Sequence, residues 1–248
     1  MEKNVSGKRA IVPALFTATA LVALLFSSAT VASAADAAKG AKLFADNCAS
    51  CHGDHGQGRG GPEGWFTGGG MQFGGSNISD AVGNKLNDQN FLSITSDSFL
   101  KATILKGRSN ERMPGGLVKE AEADDIIAFI RGWQKVPNRP VNNDATVWAD
   151  APAGAVLFQQ ACASCHGRNG EGVEGYSPAL NDQNLLNVAS DDWIRQTVQR
   201  GREGSVMRAM ERGDPMAVTE LEPREIENIV AYIRTWDKNA KAKAGLNN

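Results

Sequence analysis

Apolar residues recur at helical spacing along most of the chain. Residues 37–47 and 152–161 each carry them on one face, which predicts two amphipathic helices. Ser96 and Ser190 stand where N-caps are needed for two more helices, ending at Gly107 and Gly201. A last helix is predicted from about Ala121 in the first half and from Pro223 in the second, proline being favoured in a first helical turn. No stretch alternates apolar and polar residues for long enough to suggest a strand. The expected fold class is all-α.

One apolar stretch is of another kind. It runs from about Ala10 to Phe26, broken only by Pro13, Thr17 and Thr19. Lys3, Lys8 and Arg9 precede it, and Ala32-Ser33-Ala34 follows as a small-residue cleavage site. Residues 1–34 are therefore expected to be a signal peptide. The alternative is an uncleaved membrane anchor, since the stretch is nearly long enough to span a bilayer. Either way, the rest of the chain is exported.

The predicted helices belong to a tandem repeat, with residues 36–136 and 150–240 as two copies of one unit. Gly40-Ala41-Lys42-Leu43-Phe44 recurs as Gly154-Ala155-Val156-Leu157-Phe158. Leu86-Asn87-Asp88-Gln89-Asn90 recurs unchanged at Leu180–Asn184, and Gly107-Arg108 as Gly201-Arg202. Ile126–Trp133 recurs as Ile229–Trp236. The offset between copies falls from 114 to 94 residues, so the first copy has 20 extra residues. These lie around Trp65–Lys85, are rich in glycine, and read as a surface loop. Residues 137–149, with Pro137 and Pro140, read as a linker.

Composition narrows the chemistry. The 248 residues suffice for one large domain or two small ones. With 26 Lys+Arg against 28 Asp+Glu, the formal charge of −2 gives no basis for nucleic-acid binding. Cleavage after Ala34 removes Glu2 and three bases, leaving −4. Aromatics are only 6% and glycines number 27, so a small fold around a bulky apolar cofactor suits the composition.

All four cysteines lie in two units, Cys48-Ala49-Ser50-Cys51-His52 and Cys162-Ala163-Ser164-Cys165-His166. Two thiols three residues apart on a helical turn can reach both vinyl groups of a haem, and the next residue then lies under the iron. A thioredoxin-like pair or a shared zinc site would also use Cys-x-x-Cys. But the pairs occupy matching places in two repeats, and each is followed by His-Gly in an exported chain. Two covalent haem c groups are expected, on Cys48 and Cys51 and on Cys162 and Cys165. His52 and His166 are then the imidazole ligands. The remaining histidine, His55, is expected to be a surface loop residue.

Each repeat resembles a class I cytochrome c domain, and the chain resembles the dihaem cytochromes c with two such domains in tandem, of the cytochrome c4 type. Gly-x-x-Leu-Phe, Cys-x-x-Cys-His-Gly, a downstream Met and a last helix with an aromatic carry the resemblance. It implies a close crossing of first and last helices at Gly40 with Phe129, and at Gly154 with Tyr232. It also implies a distal methionine. Met113, in Gly107–Pro114, matches that segment in the first copy. In the second copy Met207 lies six residues after Gly201, as Met113 does after Gly107, whereas Met216 matches Met113 when counted back from the shared Trp. Met207 is preferred, although Arg208 stands where the family has Pro; Met216 stays open, and Met210 reads as packing. The resemblance further implies a proline carbonyl that orients the ligand His. Pro178 takes that place for His166, while Asn84 and Pro62 both remain open for His52. Arg108 and Arg202 either pair with haem propionates or cap a solvated helix end.

The function implied is one-electron transfer in the periplasm between redox partner proteins, with no catalytic residues. A dihaem peroxidase or a thiosulfate dehydrogenase-like enzyme is the rival, but it needs an open or special distal ligand. Another is a subunit of a membrane respiratory complex, held by its N-terminus. The unequal loops and ligand supports imply two different reduction potentials.

Overall fold

A computed structural model describes residues 1, 34–58, 83–109, 113–142, 148–173, 177–215, 217 and 219–239. The leader, most of the Trp65–Lys85 insert and Met216 lie outside the described residues. The first repeat has α1 (Ala37–Asn47), α2 (Ala49–His52), α3 (Gln89–Ile94), α4 (Asp97–Lys106) and α5 (Glu120–Arg131). The second has α6 (Ala151–Ala161), α7 (Ala163–His166), α8 (Gln183–Val188), α9 (Asp191–Arg200) and α10 (Pro223–Arg234). Among the described residues strand-type pairing is limited to isolated bridges, so the all-α expectation holds.

The helix starts follow from capping. Ser96 and Ser190 hydroxyls accept from Phe99 N and Trp193 N, each at 3.1 Å. Asp36 and Asp150 cap α1 and α6 in the same manner. The short helices α3 and α8 were not expected from periodicity. Their signal is the aspartate of the repeated Leu-Asn-Asp-Gln-Asn run: Asp88 accepts from Phe91 N at 3.1 Å and Asp182 from Leu185 N at 2.8 Å.

First and last helices of each repeat cross at the expected glycines. A Cβ on Gly40 would lie 1.9 Å from the Asp125 carbonyl oxygen, and one on Gly154 would lie 1.8 Å from that of Asn228. The backbones therefore touch, one turn before Phe129 and Tyr232. Those aromatics join three-ring clusters, Phe44–Phe129–Trp133 and Phe158–Tyr232–Trp236, with centroids 5.0–5.5 Å apart.

The last helix also clamps the middle of each repeat. Arg131 donates to the Leu92 and Thr95 carbonyls and pairs with Asp97. Arg234 does the same with the Leu186 and Ala189 carbonyls and Asp191. These carbonyls end α3 and α8, where no further turn satisfies them. Arg234→Ala should therefore cost about 3 kcal/mol, the loss of charge-assisted hydrogen bonds to partly buried acceptors. Urea denaturation of the haem-loaded protein checks this, and a change under about 1 kcal/mol would contradict it.

Residues 35–248 form one compact unit. Within it the two repeats meet through equivalent surfaces. Asn90 Nδ2 donates to the Arg200 carbonyl and Asn184 Nδ2 to the Lys106 carbonyl, both at 3.2 Å. Phe99 stacks on its own equivalent, Trp193, at 4.9 Å, and Trp193 Nε1 donates to Thr95 Oγ1 at 3.0 Å. Each partner sits 94 residues from its counterpart, so the contact has the self-complementary form of a two-fold dimer. The described part of the linker is pinned to both repeats, by Arg139 N to the Ser93 carbonyl at 2.7 Å and by Asn142 N to Asp192 at 2.8 Å.

Candidate haem sites

Each Cys-x-x-Cys-His unit begins where the first helix ends. Cys48 N bonds the Phe44 carbonyl at 2.8 Å, and Cys162 N bonds that of Phe158 at 2.9 Å. A single helical turn follows, in which His52 N and His166 N reach back to the carbonyls of Cys48 and Cys162 at 2.9 Å. Both thiols and the imidazole of a unit are thus fixed on one turn. Gly53 and Gly167, at φ 76° and 77°, then turn the chain away.

The two imidazoles are oriented alike. His52 Nδ1 donates to the Asn84 carbonyl at 2.7 Å, and His166 Nδ1 to the Pro178 carbonyl at 3.0 Å. A carbonyl only accepts, so each Nδ1 carries the proton and each Nε2 keeps its lone pair. For His52 the carbonyl is therefore that of Asn84; Pro62 lies outside the described residues. Burial pushes both imidazole pKa values down, which keeps the rings neutral and able to ligate. His55 is exposed, as expected.

The first thiol of each pair, Cys48 and Cys162, is disfavoured as a thiolate by burial. Burial, and secondarily Cys51, pushes Cys48 up to about 11; burial and Cys165 push Cys162 up to about 12. A dithiol redox centre works through a lowered thiol pKa, and those of Cys48 and Cys162 are raised. Among the described residues no three His, Cys, Asp or Glu side chains converge, so the two cysteine pairs do not combine into one zinc site.

The methionine segments also match. Arg108 N bonds the Met113 carbonyl at 2.9 Å, and Arg202 N bonds the Met207 carbonyl at 2.7 Å. Met113 and Met207 hold the same backbone place, and both are half-buried. Met210 packs against the second core. A cavity of about 360 Å³ opens between Met113, Arg108 and Ser109 of the first repeat and Asn184 of the second. Arg108 Nη2 donates to Thr103 at 2.8 Å. The Arg202 guanidinium lies between the Phe91 and Trp193 rings and is not a solvated helix end. Paired thiols, a neutral imidazole with a free Nε2 and an available thioether are the donor set that covalent haem uses.

The comparisons with known proteins agree with this chemistry. The family model described as Cytochrome c matches residues 37–134 and 151–237. The chain is 28% identical over 210 residues to the Cbb3-type cytochrome c oxidase subunit FixP of Bradyrhizobium sp. (strain ORS 278), covering 80% of this chain and 60% of that one. It is 26% identical over 205 residues to subunit CcoP of Rhodobacter capsulatus, covering 79% of this chain and 61% of that one. The chain thus spans about three-fifths of the length of these relatives. A solved chain of the reducing HAO-like protein complex of Kuenenia stuttgartiensis superposes with a TM-score of 0.49 at 16% identity, over 83% of this chain and 99% of that one. No described helix is long and apolar enough to cross a membrane. Two matched segments, each with its own Cys-x-x-Cys-His turn, make the conclusion direct: the chain belongs to the cytochrome c family, as a tandem all-α electron-transfer protein with two covalent haem c groups.

Proposed function

We propose that the chain is an exported one-electron carrier of the periplasm, with His52 and Met113 ligating one iron and His166 and Met207 the other. Residues 36–136 and 150–240 are the two domains, and 137–149 joins them. The observation that carries the ligand set is the matched pair of contacts, Arg108 N to Met113 O and Arg202 N to Met207 O. Haem supplies a one-electron iron couple when bound. The chain's own groups set its character. The carbonyls of Asn84 and Pro178 hold each ring by Nδ1 and make Nε2 the better donor. A thioether opposite the imidazole favours the reduced state and closes the iron to outside ligands. With all four cysteines used in the haem turns and a Met available to each copy, neither site keeps the open position that a peroxidase-type enzyme needs.

The redox partners we infer are proteins of a respiratory complex. The support is that the relatives named above are themselves subunits of a Cbb3-type cytochrome c oxidase. Residues 1–34 serve as the export signal, and retention of its apolar stretch would add a membrane tether.

Ferric spectra of the purified protein test this reading. Both haems should be low-spin and show the Met–iron charge-transfer band. Met207→Ala should remove about half of that band, while Met216→Ala leaves it whole. A band intact in Met207→Ala would move the second ligand to Met216, and a high-spin haem that takes up cyanide readily would overturn the carrier reading.

A further inference from the structure

The joint between the repeats differs in its two halves. Asp88 and Asp182 hold equivalent places, 94 residues apart, and so do Ser109 and Glu203. Both aspartates are wholly buried, and each uses Oδ1 to cap its own helix, α3 or α8. In one half, Ser109 Oγ crosses from the first repeat and donates to Asp182 Oδ2 at 2.6 Å. In the other half the crossing residue is Glu203, and Asp88 Oδ2 is buried with no hydrogen-bond partner. Glu203 Oε2 lies 3.4 Å from N of Gln89, the next residue after Asp88.

A hydroxyl donates to a carboxylate, but an ionised carboxylate only accepts. Two carboxylates that meet at a partly dry site resist double ionisation. The other charges there leave Oδ2 unpaired. Arg202 attracts Asp88, but its guanidinium lies over the Phe91 and Trp193 rings. Arg139 of the linker feels both Asp88 and Arg200, and its donors go to Ser93 and Asn90. Burial pushes the Asp88 carboxyl above its ordinary value and the Glu203 charge adds to this, against Arg202 and the N–H groups of Phe91 and Asn90. Glu203 is exposed, so protons reach the pair from solvent.

We propose that Asp88 and Glu203 share one proton across the joint between the repeats, and that the joint loosens when this proton is lost. A proton on Asp88 Oδ2 makes that oxygen a donor to the Glu203 carboxylate. The half-joint then gains the kind of bond that Ser109 makes in the other half. Loss of the proton leaves two like charges across the joint. Because the carboxyl is raised in the folded joint, its contribution is complete below the ordinary carboxylate range and is lost as pH rises through the raised value. The firmness with which the two repeats hold together thus follows the acidity of their surroundings, whichever methionine ligates the second iron.

The test uses the protein with both haems attached, from about pH 4 to about pH 8. Amide exchange in α3 and α9 would be expressed as protection relative to the free-chain rate at each pH. Protection should fall by at least about threefold as pH rises, and by no more than about tenfold per pH unit, the limit for one proton. Glu203→Ser, which copies the Ser109 half, should flatten this dependence. Asp88→Asn keeps the cap and carries an amide donor in place of the O–H, so it should hold the acid-state protection up to the highest pH. Carboxyl carbon NMR of the reduced protein should show Asp88 titrating above the ordinary carboxylate range, and lower in Glu203→Ser. Flat protection in the wild-type protein would overturn the proposal, as would a dependence that survives in Glu203→Ser. If Glu203→Ser fails to fold, Glu203→Gln decides, since it keeps the size and removes the charge: a flattened dependence supports the shared proton, and the wild-type dependence refutes it.

Discussion

A chain carrying Cys162→Ala and Cys165→Ala will hold one covalent haem instead of two, and its second repeat will lose its fixed structure. The mass should fall by one haem and two sulfur atoms. The second effect is the larger one energetically. Phe158, Leu186, Ile226, Ile229 and Val230 are the largest fully buried apolar side chains of the second core. A flat macrocycle that buries a few hundred Å² of apolar surface contributes roughly 5–10 kcal/mol at about 25 cal/mol per Å². That is comparable to the entire stability of a typical domain. Hydrogen exchange should then show α6 and α10 unprotected while α1 and α5 stay protected. Mass spectrometry and exchange together check the prediction. Two haems retained in this variant would remove the basis for assigning one to each cysteine pair.

Gly154→Ala should be nearly as damaging without touching the cofactor. The added Cβ would lie 1.8 Å from the Asn228 carbonyl oxygen, well inside van der Waals contact. Both parties are backbone, so no rotamer change relieves the clash; α6 and α10 must separate and unpack the Phe158–Tyr232–Trp236 cluster. A loss of more than about 4 kcal/mol is expected, beyond the ordinary range for one substitution. Gly132 is the control. It has helical dihedrals, φ −59° and ψ −19°, and Gly132→Ala should change stability by less than about 1 kcal/mol. Guanidinium denaturation of the three holoproteins is the measurement. Equal midpoints for wild type and Gly154→Ala would mean the helices do not cross where described.

These two predictions draw on different layers of information. The cysteine pairs are a linear motif, and their chemistry was legible at once. So were the helix starts at Ser96, Ser190 and Pro223, because a cap acts within three residues of its own position. The glycine crossing was visible only because two repeats could be compared and set beside a known family. Even then Gly40 and Gly154 were paired with aromatics, where the backbone contact is with Asp125 and Asn228. Helices α3 and α8 are six residues long, too short for periodicity to register, though their capping aspartates were in plain view.

What the sequence by itself determined is therefore the pair of haem turns, the all-α class and the repeat. Each depends on residues that are near neighbours in the chain or recur along it. What only the tertiary structure decided is who meets whom across long separations. Asn84 reaches His52 across 32 residues, whereas Pro178 reaches His166 across 12, because an insert intervenes in one copy alone. The contact of Arg202 N with the Met207 carbonyl matches that of Arg108 N with the Met113 carbonyl, a backbone likeness that neither way of counting along the chain supplied. The arginine clamps of Arg131 and Arg234, and the stacking of Phe99 on Trp193, have no signature along the chain. Their energy comes from burial and from acceptors left over at helix ends, and both exist only once the helices have packed.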